Sequence, residues 1–114
     1  MVRRDPYVPR RGDVVWISLN PQAGREQAGR RLALVLSPHA YNAEVGLALL
    51  CPITSQVKSY PFEVAVPAGL PVAGVVLSDH IKSLDWRSRK AERACRLPLQ
   101  TTAEVLAKLQ TLLR

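Results

Sequence analysis

The chain has 114 residues, 47% of them hydrophobic and 22% charged, with nine prolines, six glycines and a formal net charge of +7. That length fits one domain, 1–114, and that composition excludes an intrinsically disordered chain. No apolar run is long enough to span a bilayer, and the basic, proline-punctuated stretch from Met1 to Arg11 has no apolar segment behind it, so neither a membrane anchor nor a signal peptide is expected.

Asp13-Val14-Val15-Trp16-Ile17-Ser18-Leu19 is rich in β-branched and aromatic residues and stops at Asn20-Pro21, a strand followed by a turn. Within it Trp16 reads as core. Leu32–Leu36 is a short continuous apolar run ending at Ser37-Pro38, which suits a central strand. His39–Asn42 reads as a single helical turn. Further strands are expected at Val45–Pro52, at Tyr60–Val66 with Pro61 near its start, at Gly74–Leu77, and a short one at Ile81–Trp86. The C-terminus changes period. Thr101-x-x-Glu104 reads as a capping box, and Val105, Leu106, Leu109, Leu112 and Leu113 then fall on one helical face. Five to seven short strands and one terminal helix predict a small, mostly antiparallel barrel or half-open sheet.

Charge is distributed in blocks. Residues 1–31 carry seven Lys/Arg against three Asp/Glu, and residues 82–96 carry six against two. Residues 32–81 carry one against three. If the two basic blocks meet in space they form one face that attracts phosphate backbones; if they do not, the chain is simply basic and soluble. The two cysteines, Cys51 in an apolar run and Cys95, lack metal-ligand spacing and read as idle thiols.

Four segments, taken in order, are similar to one family. "RGDVVW" (11–16), "NPQAGREQAGRRLALVLSP" (20–38), "CPITSQVKSYPFEV" (51–64) and "GVVLSDHIKSLDWRSRKA" (74–91) resemble the conserved blocks of the MazF/PemK toxin endoribonucleases, from about Pro9 to Ala94. The resemblance implies an SH3-like β-barrel of the CcdB/PemK type with a C-terminal amphipathic helix. It implies metal-independent, sequence-specific cleavage of single-stranded RNA, in which the ribose 2′-OH attacks the adjacent phosphate to leave a 2′,3′-cyclic phosphate and a 5′-OH. It also implies a homodimer in the cytoplasm, no cofactor, and a cognate acidic antitoxin.

By the family pattern the catalytic positions fall at Arg31 and Thr54, with Glu26 in the same loop as Arg31. Arginine stays protonated in proteins, so Arg31 suits charge stabilisation on the phosphorane better than proton abstraction. Glu26 either takes the 2′-OH proton or orients Arg31. Asn20 and Gln22 are candidate readers of base edges; Asp79 is a candidate acceptor from an exocyclic amine, and His80 a candidate base-edge contact. Arg30, Lys58 and Lys82 are candidate RNA contacts, and Arg87 and Arg89 further phosphate contacts. Trp86 reads equally as core or as a stacking surface, and His39 as structural. The chain departs from the pattern at Leu32, where proline is usual, at Arg30, an added charge before Arg31, and at Ser55, where a second threonine is common. Two other readings share the fold or the charge: a CcdB-like gyrase-directed toxin, and a non-catalytic RNA-binding module.

Overall fold

The computed structural model describes residues 7–19 and 29–114. In chain order the elements are β1 (Asp13–Ser18), β2 (Arg30–Val35), α1 (His39–Val45), β3 (Leu47–Thr54), β4 (Glu63–Ala65), β5 (Val75–Leu77), β6 (Lys82–Asp85), β7 (Glu92–Arg96) and α2 (Leu99–Gln110). All strand pairs described are antiparallel and run β4-β5-β3-β2-β1-β7, with β6 also on β3. Among the described residues β4 and β7 do not pair, so the sheet is barrel-like without closing.

The long strand β3 is the hub. Leu47–Leu50 pairs with β6, Leu50–Pro52 with β2, and Ile53–Thr54 with β5. Alternation then separates its side chains. Cys51 and Ile53 join Val14, Leu34, Val64, Val76 and the α2 residues Val105 and Leu109 in one core. Ala48 and Leu50 join Val15, Ile17, Ala33, Val35, Leu84 and Trp86 in the other. A period of two feeding two buried faces explains why β1 and β2 read as continuous apolar runs. Each fully buried aliphatic side chain contributes about 1.5–3 kcal/mol.

Several expected boundaries move. The helical turn at His39 extends to Val45 and ends at Gly46, whose φ of 82° lets its N–H reach the Asn42 carbonyl at 3.0 Å. Asn42 itself is fully buried, donates to the Pro9 and Ser37 carbonyls at 2.8 and 3.1 Å, and accepts from the Ser37 hydroxyl at 2.5 Å. Its carbonyl accepts the Trp86 indole N–H at 3.0 Å, so Trp86 is core and not a stacking surface. Trp16 is the reverse: it is 43% exposed, because it lies on the β1 face whose cover stops short of the strand's end. The capping box does not form. α2 starts after Pro98, whose carbonyl takes the Thr101 and Thr102 N–H groups, and both threonines are buried. Leu112 and Leu113 lie past the helix end and are exposed.

Strand β7 was absent from the sequence reading. It is an edge strand, largely charged, and it pairs with β1 to bring the two basic blocks together.

Candidate active site

Arg31 does not precede a strand as expected; it is the second residue of β2, across from Ile17 of β1. The β2–β3 register runs Val35↔Leu50, Leu34↔Cys51, Ala33↔Pro52. The described pairs stop there; continued by two residues, the same register would set Arg31 across from Thr54. Alternation puts both side chains on the same face, since Arg31 shares parity with Ala33 and Thr54 with Pro52. Arg31 is exposed, and its Nη1 donates to the Arg30 carbonyl at 3.0 Å.

Thr54 is half-buried and ends β3. Its Oγ1 accepts the Gln56 N–H at 3.1 Å, which orients the hydroxyl and leaves its own proton available for an incoming oxygen. Its backbone is held by a close neighbour. Gly74 sits at a φ of +123°, and a Cβ there would lie 2.3 Å from the Thr54 carbonyl oxygen. Only glycine fits that approach.

Beside Thr54 lies a groove of about 510 Å³ lined by Thr54, Gln56, Lys58, Ser59, Tyr60, Pro61, Glu63, Leu77 and His80. Its floor is built by local bonds. The Glu63 carboxylate accepts the Lys58 N–H at 3.0 Å, and Lys108 of α2 donates to the Pro61 carbonyl at 2.7 Å. Ser59 adopts a left-handed φ of 57°, a strained conformation for a non-glycine residue that recurs at ligand sites. The Tyr60 hydroxyl donates to Asp79 Oδ2, which raises the phenol's pKa and fixes the exposed ring. The other Asp79 oxygen lies 3.7 Å from His80 Nε2 and is buried without a hydrogen bond.

Of the residues singled out from the sequence, Thr54, Lys58 and His80 line this groove and Asp79 supports it through Tyr60, while Arg31, on the neighbouring strand β2, is not among its lining residues. Lys82 stands on β6 across from Leu50, outside the lining. Arg30 is drawn away: its guanidinium donates to Glu92 at 2.8 Å and to the Lys90, Trp16 and Arg89 carbonyls at 3.0, 3.2 and 3.4 Å. It ties β2 to the segment leading into β7. Arg89 likewise donates to the Ser18 carbonyl at 2.9 Å, and Arg87 stacks over Trp86 at 4.9 Å. Asn20, Gln22 and Glu26 lie outside the described residues. The chain leaves at Leu19 and returns at Gly29, joined by an N–H···O bond of 3.1 Å two residues from Arg31. Gln56, Tyr60 and Gly74 are not singled out by the sequence; Gly74 matters through the β3–β5 pairing and Tyr60 through the β4–β5 pairing that brings it to Asp79, and no local sequence feature announces either.

The Thr54 hydroxyl, beside a groove with an aromatic wall and next to the strand that carries Arg31, suits a phosphodiester whose neighbouring base lies in the groove. The family model of the PemK-like, MazF-like toxins of type II toxin–antitoxin systems matches residues 10–113. The endoribonuclease toxin MazF of Escherichia coli K12 is 42% identical over 107 residues, 94% of this chain and 96% of that protein. The crystal structure of MazF from Deinococcus radiodurans superposes with a TM-score of 0.87 at 58% identity, covering 95% of this chain and 98% of that one. A MazE–MazF structure from the same organism superposes with a TM-score of 0.85 at 53% identity, covering 95% and 97%. A match over nearly the whole chain, at this identity and with this fold, places the protein plainly: it belongs to the PemK-like, MazF-like toxin family of type II toxin–antitoxin systems.

Proposed function

We propose that the chain is a single-domain endoribonuclease toxin that cuts single-stranded RNA, neutralised by a cognate antitoxin. The observation that supports the reading is the β2–β3 register, which would bring Arg31 across from Thr54 if continued two residues past Ala33 and Pro52, with a groove beside Thr54. The names of the relatives, endoribonuclease toxins and a toxin solved with its antitoxin, support it.

In the mechanism, the 2′-OH attacks the adjacent phosphorus and the 5′-oxygen leaves. Negative charge builds on the nonbridging oxygens. Arg31 meets it with a planar fork that takes two oxygens at once, and Thr54 donates its hydroxyl proton to one of them. Arg31 stabilises charge and does not act as the base. The 2′-OH proton passes to Glu26, or to water where Glu26 only orients Arg31, and the leaving 5′-oxygen takes up a proton from water or from Arg31, which water then reprotonates, to end as a 5′-OH. Lys58 and Lys82 contact phosphates, and His80, Asn20 and Gln22 read base edges, while Asp79 acts by holding the Tyr60 ring against the base. Arg30 serves the site by fixing β2. The family resemblance carries metal independence, the homodimer and a cytoplasmic location into the same reading.

The test is incubation of the purified protein with a long single-stranded RNA in EDTA. Cleavage at defined sequences, with 2′,3′-cyclic phosphate and 5′-OH ends, is the expected result. Intact RNA would overturn the reading and leave a gyrase-directed toxin or a silent RNA-binding module.

A further inference from the structure

A second cleft, of about 620 Å³, opens at the far end of β1 from Arg31, lined by Tyr7, Val8, Arg10, Asp13, His39, Arg93 and Arg96. It holds three guanidinium groups against one carboxylate. That carboxylate is not at the surface. Asp13 is 1% exposed and accepts from the Tyr7 hydroxyl at 2.5 Å, the Arg10 N–H at 3.1 Å and Arg96 Nη1 at 3.1 Å, with Arg93 Nε at 3.5 Å. It works as a buried anchor. Arg93 and Arg96 each turn one nitrogen to Asp13, and their side chains remain 52% and 44% exposed. An arginine carries five N–H donors, so most of theirs face the opening.

A bulge builds this arrangement. Residues three apart on a regular strand point to opposite faces. Here β7 pairs Arg96 with Asp13 and Cys95 with Val14, and then Arg93 with Val15, leaving Ala94 as the extra residue. The bulge turns Arg93 and Arg96 to the same face, the face that carries Asp13, Val15 and Ile17. Bulges that re-aim side chains are typical beside binding sites. Arg31, opposite Ile17, belongs to that face too. Ile17 lies four strand steps beyond Asp13, about 13 Å at the rise of a β-strand.

We propose that the Arg10–Arg93–Arg96 cleft binds backbone phosphates of the RNA strand at a distance from the cut, as a second contact for the substrate engaged at Arg31 and Thr54. The planar forks suit phosphate oxygens. An acidic polypeptide is the less fitting occupant. A chain that folds on binding draws its affinity from apolar burial, and apart from Val8 and the half-buried Tyr7 this cleft offers none. The inference rests on the proposed RNA-cleaving function.

The test uses the full chain carrying Arg31→Ala, so that RNA is bound without being cut. Two RNAs are compared: a short one spanning a cleavage site mapped with the unaltered protein, and the same site extended at both ends. The extended RNA should bind more tightly at low salt, with a log–log salt slope steeper by about 0.7 for each added phosphate contact. Adding Arg10→Ala with Arg93→Gln should cancel both gains and leave short-RNA binding unchanged. Arg93→Gln keeps a donor for Asp13, and Arg96 is untouched. Should the pair prove unfolded by circular dichroism, Arg10→Glu alone, at an exposed position, should cancel the same gains. In the otherwise unaltered protein the pair should leave short-RNA cleavage intact. If the unaltered protein cuts no RNA, the functional reading fails by itself, and the comparison is run on short and long polyuridine. The cleft assignment is overturned if the variants bind the extended RNA with unchanged affinity and slope. It is overturned equally if they lose polyglutamate binding instead, or if inorganic phosphate alone reproduces the variant-sensitive binding.

Discussion

Two side chains divide the chemistry at the scale of single residues. Arg31→Ala should lower the cleavage rate by ~10²–10³, the usual cost of one preorganised charge-stabilising donor, and Thr54→Ala should cost a comparable factor. Arg31→Lys should recover little, because a point charge cannot hold two phosphate oxygens in one plane. Single-turnover cleavage of a labelled RNA reads these effects; near-normal turnover in Arg31→Ala would remove it from the site. Cys51 allows a sharper check on the wall behind the groove. Burial first, and the Asp79 charge second, push its thiol up to about 12. The folded state therefore holds the neutral form. Its contribution to stability is complete below the ordinary thiol pKa of about 8.5 and is lost as pH rises towards the folded value. At pH 8 native Cys51 should resist a thiol reagent that modifies it readily in urea. Equal reactivity in the two states would contradict the packing described.

Among the elements, α1 is held through one residue. The Asn42 side-chain amide bridges the N-terminal segment through Pro9 and the β2–α1 turn through Ser37, and its backbone carbonyl takes the Trp86 indole N–H just past β6. Asn42→Leu should leave buried Pro9 and Ser37 groups without partners, at about 1–3 kcal/mol for each, and should shift the urea midpoint with the slope unchanged. A loss below about 1 kcal/mol would mean that water replaces the amide. Where elements are driven by apolar runs, the sequence was readable: β1 and β2 appear close to their true bounds because both faces of each are buried. Where tertiary context decides, it was not. β7 is Glu92-Arg93-Ala94-Cys95-Arg96, a polar edge strand of the kind that resists unwanted pairing and carries no alternation to detect. Thr101 and Glu104 have the spacing of a capping box, yet with Pro98 at the N-cap the helix starts three residues earlier than such a box allows, and burial of Thr101 takes its hydroxyl from the end. Trp16, expected in the core, is exposed because the cover over its face stops short of the end of β1, whereas Trp86, open between core and stacking surface, is core. The candidate site followed the same division. Arg31 and Thr54 were found through motif context, and their facing positions came from the strand register. Gly74 needed the long-range pairing of β3 with β5, and Tyr60 that of β4 with β5.

On the scale of the whole molecule, the β1–β7 pairing gathers Arg93 and Arg96 at one cleft, and the groove beside Thr54 is a separate surface that joins the Lys58 cation to apolar area from Tyr60, Pro61 and Leu77. An acidic, partly apolar antitoxin segment fits that combination, because it can neutralise the cation and bury its own apolar side chains as it orders. Exposed Leu99, Leu112 and Leu113 on and beyond α2 offer further apolar area to a second copy, and two-fold dimers are the commonest way to bury such surface. Sedimentation at micromolar concentration should therefore give twice 12.6 kDa, and a monomer would count against the dimer. The antitoxin segment should raise the apparent KM for RNA and leave kcat unchanged, because it occupies the groove that the substrate needs. Its inhibition should weaken as salt rises, since a Debye length of about 8 Å at physiological ionic strength already screens all but the closest pairs. Arg10→Ala with Arg93→Gln should not relieve this inhibition, because those residues lie in the other cleft. Inhibition that ignored RNA concentration and ionic strength, or that vanished with those two substitutions, would place the antitoxin away from the groove.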